Sequence, residues 1–428
     1  MEIVKAQANW SIGKRIAFRF FFIFFLLFIA IENNGAYPFW QEIFHYPTEW
    51  LHQVIPWVGK NILNLSHNIT VFTNGSGDTT YDWVIVFTIF IVSLTGTTAW
   101  SLLDRNRSHY NTLYYWLTVA VRYYVGLMLI QYGLYKVIKL QFPFPSFARL
   151  EETFGDSSPM GLAWTFLGFS TGYNLFMGIA EVAAVLLIFR RTMTAGAIIT
   201  LMTTSNVMAV NYFYDVPVKI VSTSLVVMTL FLLMHSAEDL IKFFFTGRSV
   251  TLGIITSPVF NRKVRLAGVI FKSLLMANVF GFGTYQLIEF QKTYSTRMNP
   301  IKPPLYGNYQ VEKFIKGKDT ITWLTADSTR WSELKVESEH YAGVKMVYDS
   351  ILNFSIHADT ARHIFFMTQN NADTKFEFNY SEPDSVHLIL KGTLQKDSLY
   401  LRLKRSGSKT YRLTTRGFHW VNEYPYNR

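Results

Sequence analysis

The chain has 428 residues, half of them hydrophobic, 17% aromatic and only 16% charged, where a soluble protein carries roughly 25% charged residues; this argues against a wholly soluble enzyme. Forty Lys and Arg against 29 Asp and Glu give a formal +11, a balance that suits nucleic acid, anionic lipid or membrane topology. The absence of cysteine excludes disulfides, thiolate metal sites, iron–sulfur clusters and thiol catalysis.

Taken in order, apolar runs near the length that crosses a bilayer, about 20 residues, predict seven spans: Ile16–Ile31, Trp83–Leu103, Leu113–Ile138, Tyr173–Phe189, Ala195–Tyr212, Val216–Met234 and Ala267–Ile288. The first run has the basic start of a signal peptide, but "ENNGAYPFW" follows it without a small-x-small cleavage site, so it is read as a retained span. Between the first two spans, residues 33–82 carry Trp40, Trp50 and Trp57 among other aromatics, the pattern of an amphipathic helix on a membrane surface. The same segment holds N-x-Ser/Thr sequons at Asn64, Asn68 and Asn74. Pro159–Phe169 is apolar but too short to span and is expected to be interfacial or re-entrant.

If the spans alternate, Lys5, Lys14, Arg15, Arg19, Arg105, Arg107, Arg190, Arg191, Lys242, Arg248, Arg262, Lys263 and Arg265 share one side. On the other side before the seventh span only Lys60 and Arg149 stand clear of the span ends, Lys139 directly adjoining the third span, thirteen against two. Lys and Arg resist translocation, so the N-terminus is expected in the cytoplasm and the C-terminus outside. Topology then explains much of the charge, and no nucleic-acid partner is expected.

A helical membrane domain is thus expected over 1–290, with a core near 113–236. A Pro-rich connector follows at 291–304 and a soluble β domain at 305–428. In the last, "KFEFNY", "HLILKG", "LYLRLKR" and "TYRLTT" alternate between turn-rich stretches, predicting eight or so short strands in an up-and-down barrel or a sandwich. The opening "LYGNYQVEKF", with Gly-x-aromatic on its first strand, and a late Arg-bearing strand resemble a lipocalin-type barrel. Near the end, Phe418 and Trp420 are expected to plug the barrel; the alternative is an exposed docking patch.

Ionisable groups in hydrocarbon are costly, about 2.5–3.5 kcal/mol each on the insertion scale, and therefore mark function. The third span contains Arg122, Gln131, Tyr132 and Lys136, the fourth Asn174 and Glu181, the fifth Asn206 and Asn211, and the turn into the sixth Asp215 and Lys219. Depth along alternating spans predicts two layers. Arg122 pairs with Glu181 deep in the bundle, and Lys136, Asn174, Asn211, Asp215 and Lys219 open outward. Arg122, Gly126, Gly133 and Lys136 share one helical stripe, as do Asn174, Gly178 and Glu181, so these faces are expected to meet. A register-fixing ion pair that binds nothing is the plain alternative.

"RYYVGLMLIQYGLYKV" followed by "FMGIAEVAAVLLIFRRTMTAGAII" resembles the DoxX family over about residues 121–233, at Arg122, Gly133, Lys136 and Glu181. The resemblance implies a four-helix bundle like those of subunits in quinone-linked sulfur oxidation and membrane oxidative-stress complexes. A related bundle occurs in vitamin K carboxylase-like enzymes, whose basic lysine would correspond to Lys136. The spans lack paired histidines for haem, since His235 is the only one. His340, His357, His363, His387 and His419 lack metal-ligand spacing, and no phosphate-binding Gly-rich loop follows a predicted strand.

Two functions follow. In the first, the bundle binds a quinone or another lipid-like molecule through Arg122, Lys136 and Glu181, as an accessory, with a membrane redox partner, to a redox or oxidative-stress system. In the second, the protein is an envelope binding or assembly component that works through its β domain. The basic start and the resemblance place it in a bacterial inner membrane with the β domain in the periplasm.

Overall fold

A computed structural model describes residues 9–66, 69–71, 77–298, 304–321, 329–338, 340–348, 350–370, 374–394, 397–405, 411–417 and 419–424. Asn68, Asn74 and Phe418 lie outside these residues. The chain divides into two compact units, Met1–Pro145 with Glu152–Leu287, and Ser146–Glu151 with Ile288–Arg428.

The first unit is helical. α1 (Ile12–Ile31) starts at Ser11, whose hydroxyl accepts from the Lys14 N–H. α2 (Trp40–Ile43) and α3 (His45–Asn61) form the expected aromatic segment. Ile55 and Val58 of α3 are buried while Tyr46, Trp50 and Trp57 are exposed. α4 (Thr80–Leu103) opens on a capping box in which Thr79 and Asp82 exchange hydrogen bonds. α5 (Asn111–Val137) is the central helix, with 61% of its apolar stretch buried against 28% for α4. α6 (Phe147–Glu151) clusters with the second unit. α7 (Pro159–Phe169) has the bounds the sequence predicts, because Ser158 caps its start and Pro159 occupies its first turn.

α8 (Thr171–Val182) tightens into a 3-10 stretch over Ala183–Ile188. α9 (Met193–Phe213) and α10 (Lys219–Leu233) pack together, and α11 (Ala237–Thr246) leaves α10 at an 80° bend. α12 (Arg262–Ala277) continues through a π-helical turn at Asn278–Gly283 into α13 (Thr284–Met298). Helix therefore runs into the stretch read as connector, where no proline intervenes before Pro300.

Among the described residues, five helices are long and apolar enough to cross a membrane: Thr80–Leu103, Asn111–Val137, Thr171–Ile188, Met193–Phe213 and Arg262–Thr293. The bent pair α10–α11 makes six if it counts as one span. α1 is 20 residues long and carries Lys14, Arg15 and Arg19 in its first half. These basic groups tie its start to the neighbouring helix ends. Arg15 donates to the carbonyls of Arg105 and Arg107. Arg19, buried, donates to Tyr110 Oη, Ser101 Oγ and the Asp104 carbonyl. The start of α1, the end of α4 and the start of α5 thus lie together, as alternation requires.

The second unit is an all-antiparallel, eight-stranded barrel. Its strands are β1 (Gly307–Lys316), β2 (Asp319–Thr320), β3 (Trp331–Ser338), β4 (Tyr341–Met346), β5 (Ile351–Asp359), β6 (Ile364–Gln369), β7 (Lys375–Ser381), β8 (His387–Leu394) and β9 (Asp397–Arg405). Each pairs with its sequence neighbour from β3 onward, and β9 closes on β1. The two-residue β2 pairs with the end of β1 and β3 with its beginning, so these two pieces hold one barrel position. Closure removes the sandwich alternative.

Alternation fixes the inside. Phe376, Phe378 and Tyr380 of β7 are buried while Lys375, Glu377 and Asn379 face out. Trp331 meets the rings of Phe354, Phe376 and Phe378 at 6.1, 5.5 and 6.0 Å, so aromatic side chains fill this part of the interior. The Gly-x-aromatic signal resolves into one contact. Arg405 of β9 donates to Tyr309 Oη at 2.7 Å and stands over its ring. The expected plug is corrected at Trp420, which is 91% exposed. No strand follows β9 among the described residues to carry it inward.

Candidate functional site in the helical unit

The site begins where α5 and α8 cross. A Cβ on Gly133 would lie 2.7 Å from the Gly178 carbonyl oxygen, and one on Gly178 would lie 2.7 Å from that of Gly133. Neither position admits a side chain without moving backbone. The predicted facing stripes therefore meet, with glycine against glycine.

The charged partners differ from the prediction. Lys136 Nζ donates to both Glu181 oxygens, at 2.9 and 2.7 Å, and both side chains are almost wholly buried. Arg122 does not reach Glu181. Its Nε donates to the Leu187 carbonyl at 2.6 Å and one terminal nitrogen to the Ile188 carbonyl at 2.8 Å. Helix geometry explains the correction. Side chains lean toward the N-terminus of their own helix, so in this antiparallel pair Lys136 and Glu181 lean toward each other across the glycine contact. Arg122 precedes Gly133 by about 16 Å of helix and meets the end of the 3-10 stretch instead.

The predicted outer layer does not gather. Lys136 belongs to the deep pair. Asn174, buried, donates from Nδ2 to the carbonyls of Leu167 and Ser170, bracing the junction of α7 and α8. Asn211 donates to the Val218 carbonyl at 3.2 Å, closing the turn into α10. Asp215 and Lys219 form a 2.9 Å pair four residues apart, with the Asp215 side chain 84% exposed. Such surface pairs contribute little. Asn206 is exposed on α9. Asn211, Asp215 and Lys219 are thus engaged locally, at or near the turn into α10, away from the Lys136–Glu181 pair.

Two features complete the surroundings of the pair. Lys136 Nζ stands 5.8 Å from the ring centres of both Tyr132 and Phe142. Asn174 Oδ1 is buried without a hydrogen-bond partner, while its Nδ2 serves two carbonyls, so the amide is oriented with its acceptor free. Asn174 and Glu181 share one stripe of α8, so this open acceptor belongs to the face that carries the ion pair.

Sequence reasoning missed Phe142, which lies beyond the end of α5 and reaches Lys136 only through the fold. It also missed Asp78, whose carboxylate accepts from the backbone N–H groups of Lys219 (2.6 Å) and Ile220 (2.9 Å) and caps α10 from far away in sequence. Asp78 precedes α4 and resembles a local cap, so its distant partner left no signal. No metal-binding cluster of His, Cys, Asp and Glu occurs among the described residues.

Comparison with known proteins finds no matching family profile and no matching solved structure. Among curated proteins, the chain is 39% identical over 118 residues to the uncharacterized protein YwoB of Bacillus subtilis (strain 168). The match covers 27% of this chain and 75% of YwoB.

Proposed function

Because the chain belongs to the family of the Bacillus subtilis protein YwoB, and that name carries no activity, we propose a function from the site itself: an integral membrane protein whose helical core binds a quinone or a similar lipid-like molecule beside Lys136 and Glu181. In this reading it is an accessory to a membrane redox or oxidative-stress system, as the DoxX resemblance implies. Its N-terminus is cytoplasmic and its barrel lies on the far side of a bacterial inner membrane.

The observation that carries the reading is the Lys136–Glu181 pair. Desolvating two charges offsets most of their attraction, and a well-packed apolar pair serves stability as well or better. Net stability therefore does not account for this ion pair, and the ligand reading rests on the groups that surround it. The surroundings suit a ligand with a flat ring and polar oxygens. Lys136 is a donor for a ring carbonyl, Tyr132 and Phe142 offer aromatic faces, and the open Asn174 Oδ1 accepts from a hydroxyl. A quinone presents carbonyl oxygens when oxidised and hydroxyls when reduced, so both donor and acceptor have a use. The barrel reading has less support, because the ring cluster around Trp331 occupies interior space.

The test is an organic extract of the protein purified in mild detergent. A stoichiometric quinone or quinone-like lipid is expected. An extract with only bulk phospholipid, from protein that also fails to bind added quinone, contradicts the proposal.

A further inference from the structure

Three cations gather at the end of the 3-10 stretch. Arg122 Nε and a terminal nitrogen hold the Leu187 and Ile188 carbonyls. Lys272 of α12 donates to the same Ile188 oxygen at 3.1 Å and stands 5.0 Å over the Phe189 ring. Arg190, exposed, directly follows Phe189, whose ring lies under Lys272. Among the described residues no carboxylate pairs with any of the three cations.

This arrangement is poor as pure structure. One carbonyl oxygen with two hydrogen bonds does not neutralise two cations, and a third adjoins them. Arg122 is 2% exposed, yet only two of its five N–H donors are engaged. The charge runs from exposed Arg190 through half-buried Lys272 to buried Arg122, a wedge of positive potential that leads inward from the surface.

α12 forms one wall of this wedge and is barely covered by protein. Leu275 is its only buried residue, and Phe271 and Leu274 beside Lys272 are exposed. Arg191 follows Arg190 in the chain, and Arg262, Lys263 and Arg265 add further charge in the first turn of α12. Basic pockets between spans on the cytoplasmic side suit anionic lipid headgroups, and apolar walls next to the charge suit acyl chains.

We propose that Arg122, Arg190 and Lys272 form a site for the phosphate headgroup of an anionic membrane lipid, between α5, the end of the 3-10 stretch and α12. A phosphodiester supplies the missing negative charge, accepts from the open guanidinium donors, and lays its acyl chains along α12. The inference rests on the membrane-spanning reading above but not on the quinone.

The test titrates the full-length protein in neutral detergent with phosphatidylglycerol, phosphatidylcholine or inorganic phosphate, and follows thermal unfolding. Phosphatidylglycerol should raise the melting temperature, and the other two should not. Lys272→Gln and Arg190→Gln should each weaken the half-saturation point by about fivefold. Arg190 is exposed, so its variant leaves folding intact and keeps the comparison readable if Lys272→Gln folds poorly. An equal response to phosphatidylcholine, an unchanged response in the Arg190→Gln protein, or saturation by inorganic phosphate alone overturns the lipid site. Bound quinone in the same samples is read separately, so loss of one result leaves the other standing.

Discussion

Lys136 and Glu181 neutralise each other at a buried position, so removing either partner strands the other. Lys136→Met alone should cost about 3–5 kcal/mol, seen as a lower unfolding midpoint in detergent. Glu181→Leu should do the same, and the double variant should recover most of the loss. Additive losses in the double variant contradict the pairing. Gly133→Leu should be at least as damaging, since its Cβ alone meets the Gly178 carbonyl at 2.7 Å. A Gly133→Leu protein with an unchanged unfolding midpoint would show that the α5–α8 contact is looser than described. The sequence disclosed these residues but not their pairing. Composition shows which side chains are too costly to bury idly, and stripes show which faces meet. Which lysine or arginine reaches which glutamate depends on the lean of side chains across an antiparallel contact, and that requires the register of two helices.

Elements were legible where local chemistry fixes them. Ser158 and Pro159 start α7 where the sequence places it, whereas the Thr79–Asp82 capping box starts α4 at Thr80, ahead of the Trp83 at which the apolar run begins. The 3-10 stretch was not legible, because Ala183–Ile188 has good helix formers and its geometry answers to a distant cap. Arg122 holds the last carbonyls of that stretch, groups that a helix end leaves without partners. Arg122→Gln should therefore loosen residues 183–188, seen as faster hydrogen exchange there, with little change around α10. Unchanged exchange at 183–188 counts against the cap.

In the barrel, alternation disclosed strands and inward faces, while closure of β9 on β1 was beyond local pattern. The β7–β8 turn offers a pH test. The His387 side chain and the backbone N–H groups of Val386 and His387 bond Asp384 and hold its carboxyl down at about 2, below its ordinary 3.8. A depressed folded value means the stabilisation is present above pH 4 and lost as pH falls toward 2. Asp384→Asn should be slightly less stable than the parent at pH 6, with the gap closing by pH 2. A gap that persists at pH 2 contradicts this account.

At the scale of the whole molecule, two kinds of sequence statistics did different work. The thirteen-to-two division of Lys and Arg gives a direction that no bundle geometry contains, and the ties of Arg15 and Arg19 to the ends of α4 and α5 agree with the alternation it assumes. A reporter fused after the last residue should be active only in a form that works outside the cytoplasm. Activity confined to the cytoplasmic form contradicts an odd number of crossings.

The central claim is that the buried pair serves a ligand rather than the fold, and a double substitution separates the two. In the Lys136→Met/Glu181→Leu protein the charges go together, so the bundle should remain folded while the polar grip on the ligand disappears. The deciding measurement is quinone content per mole of purified, monodisperse double variant beside the parent. A parent with bound quinone and a folded variant that has lost at least nine-tenths of it, on the order of one factor of ten or 1.4 kcal/mol, is the predicted result. Equal quinone in both, or none in either, contradicts it.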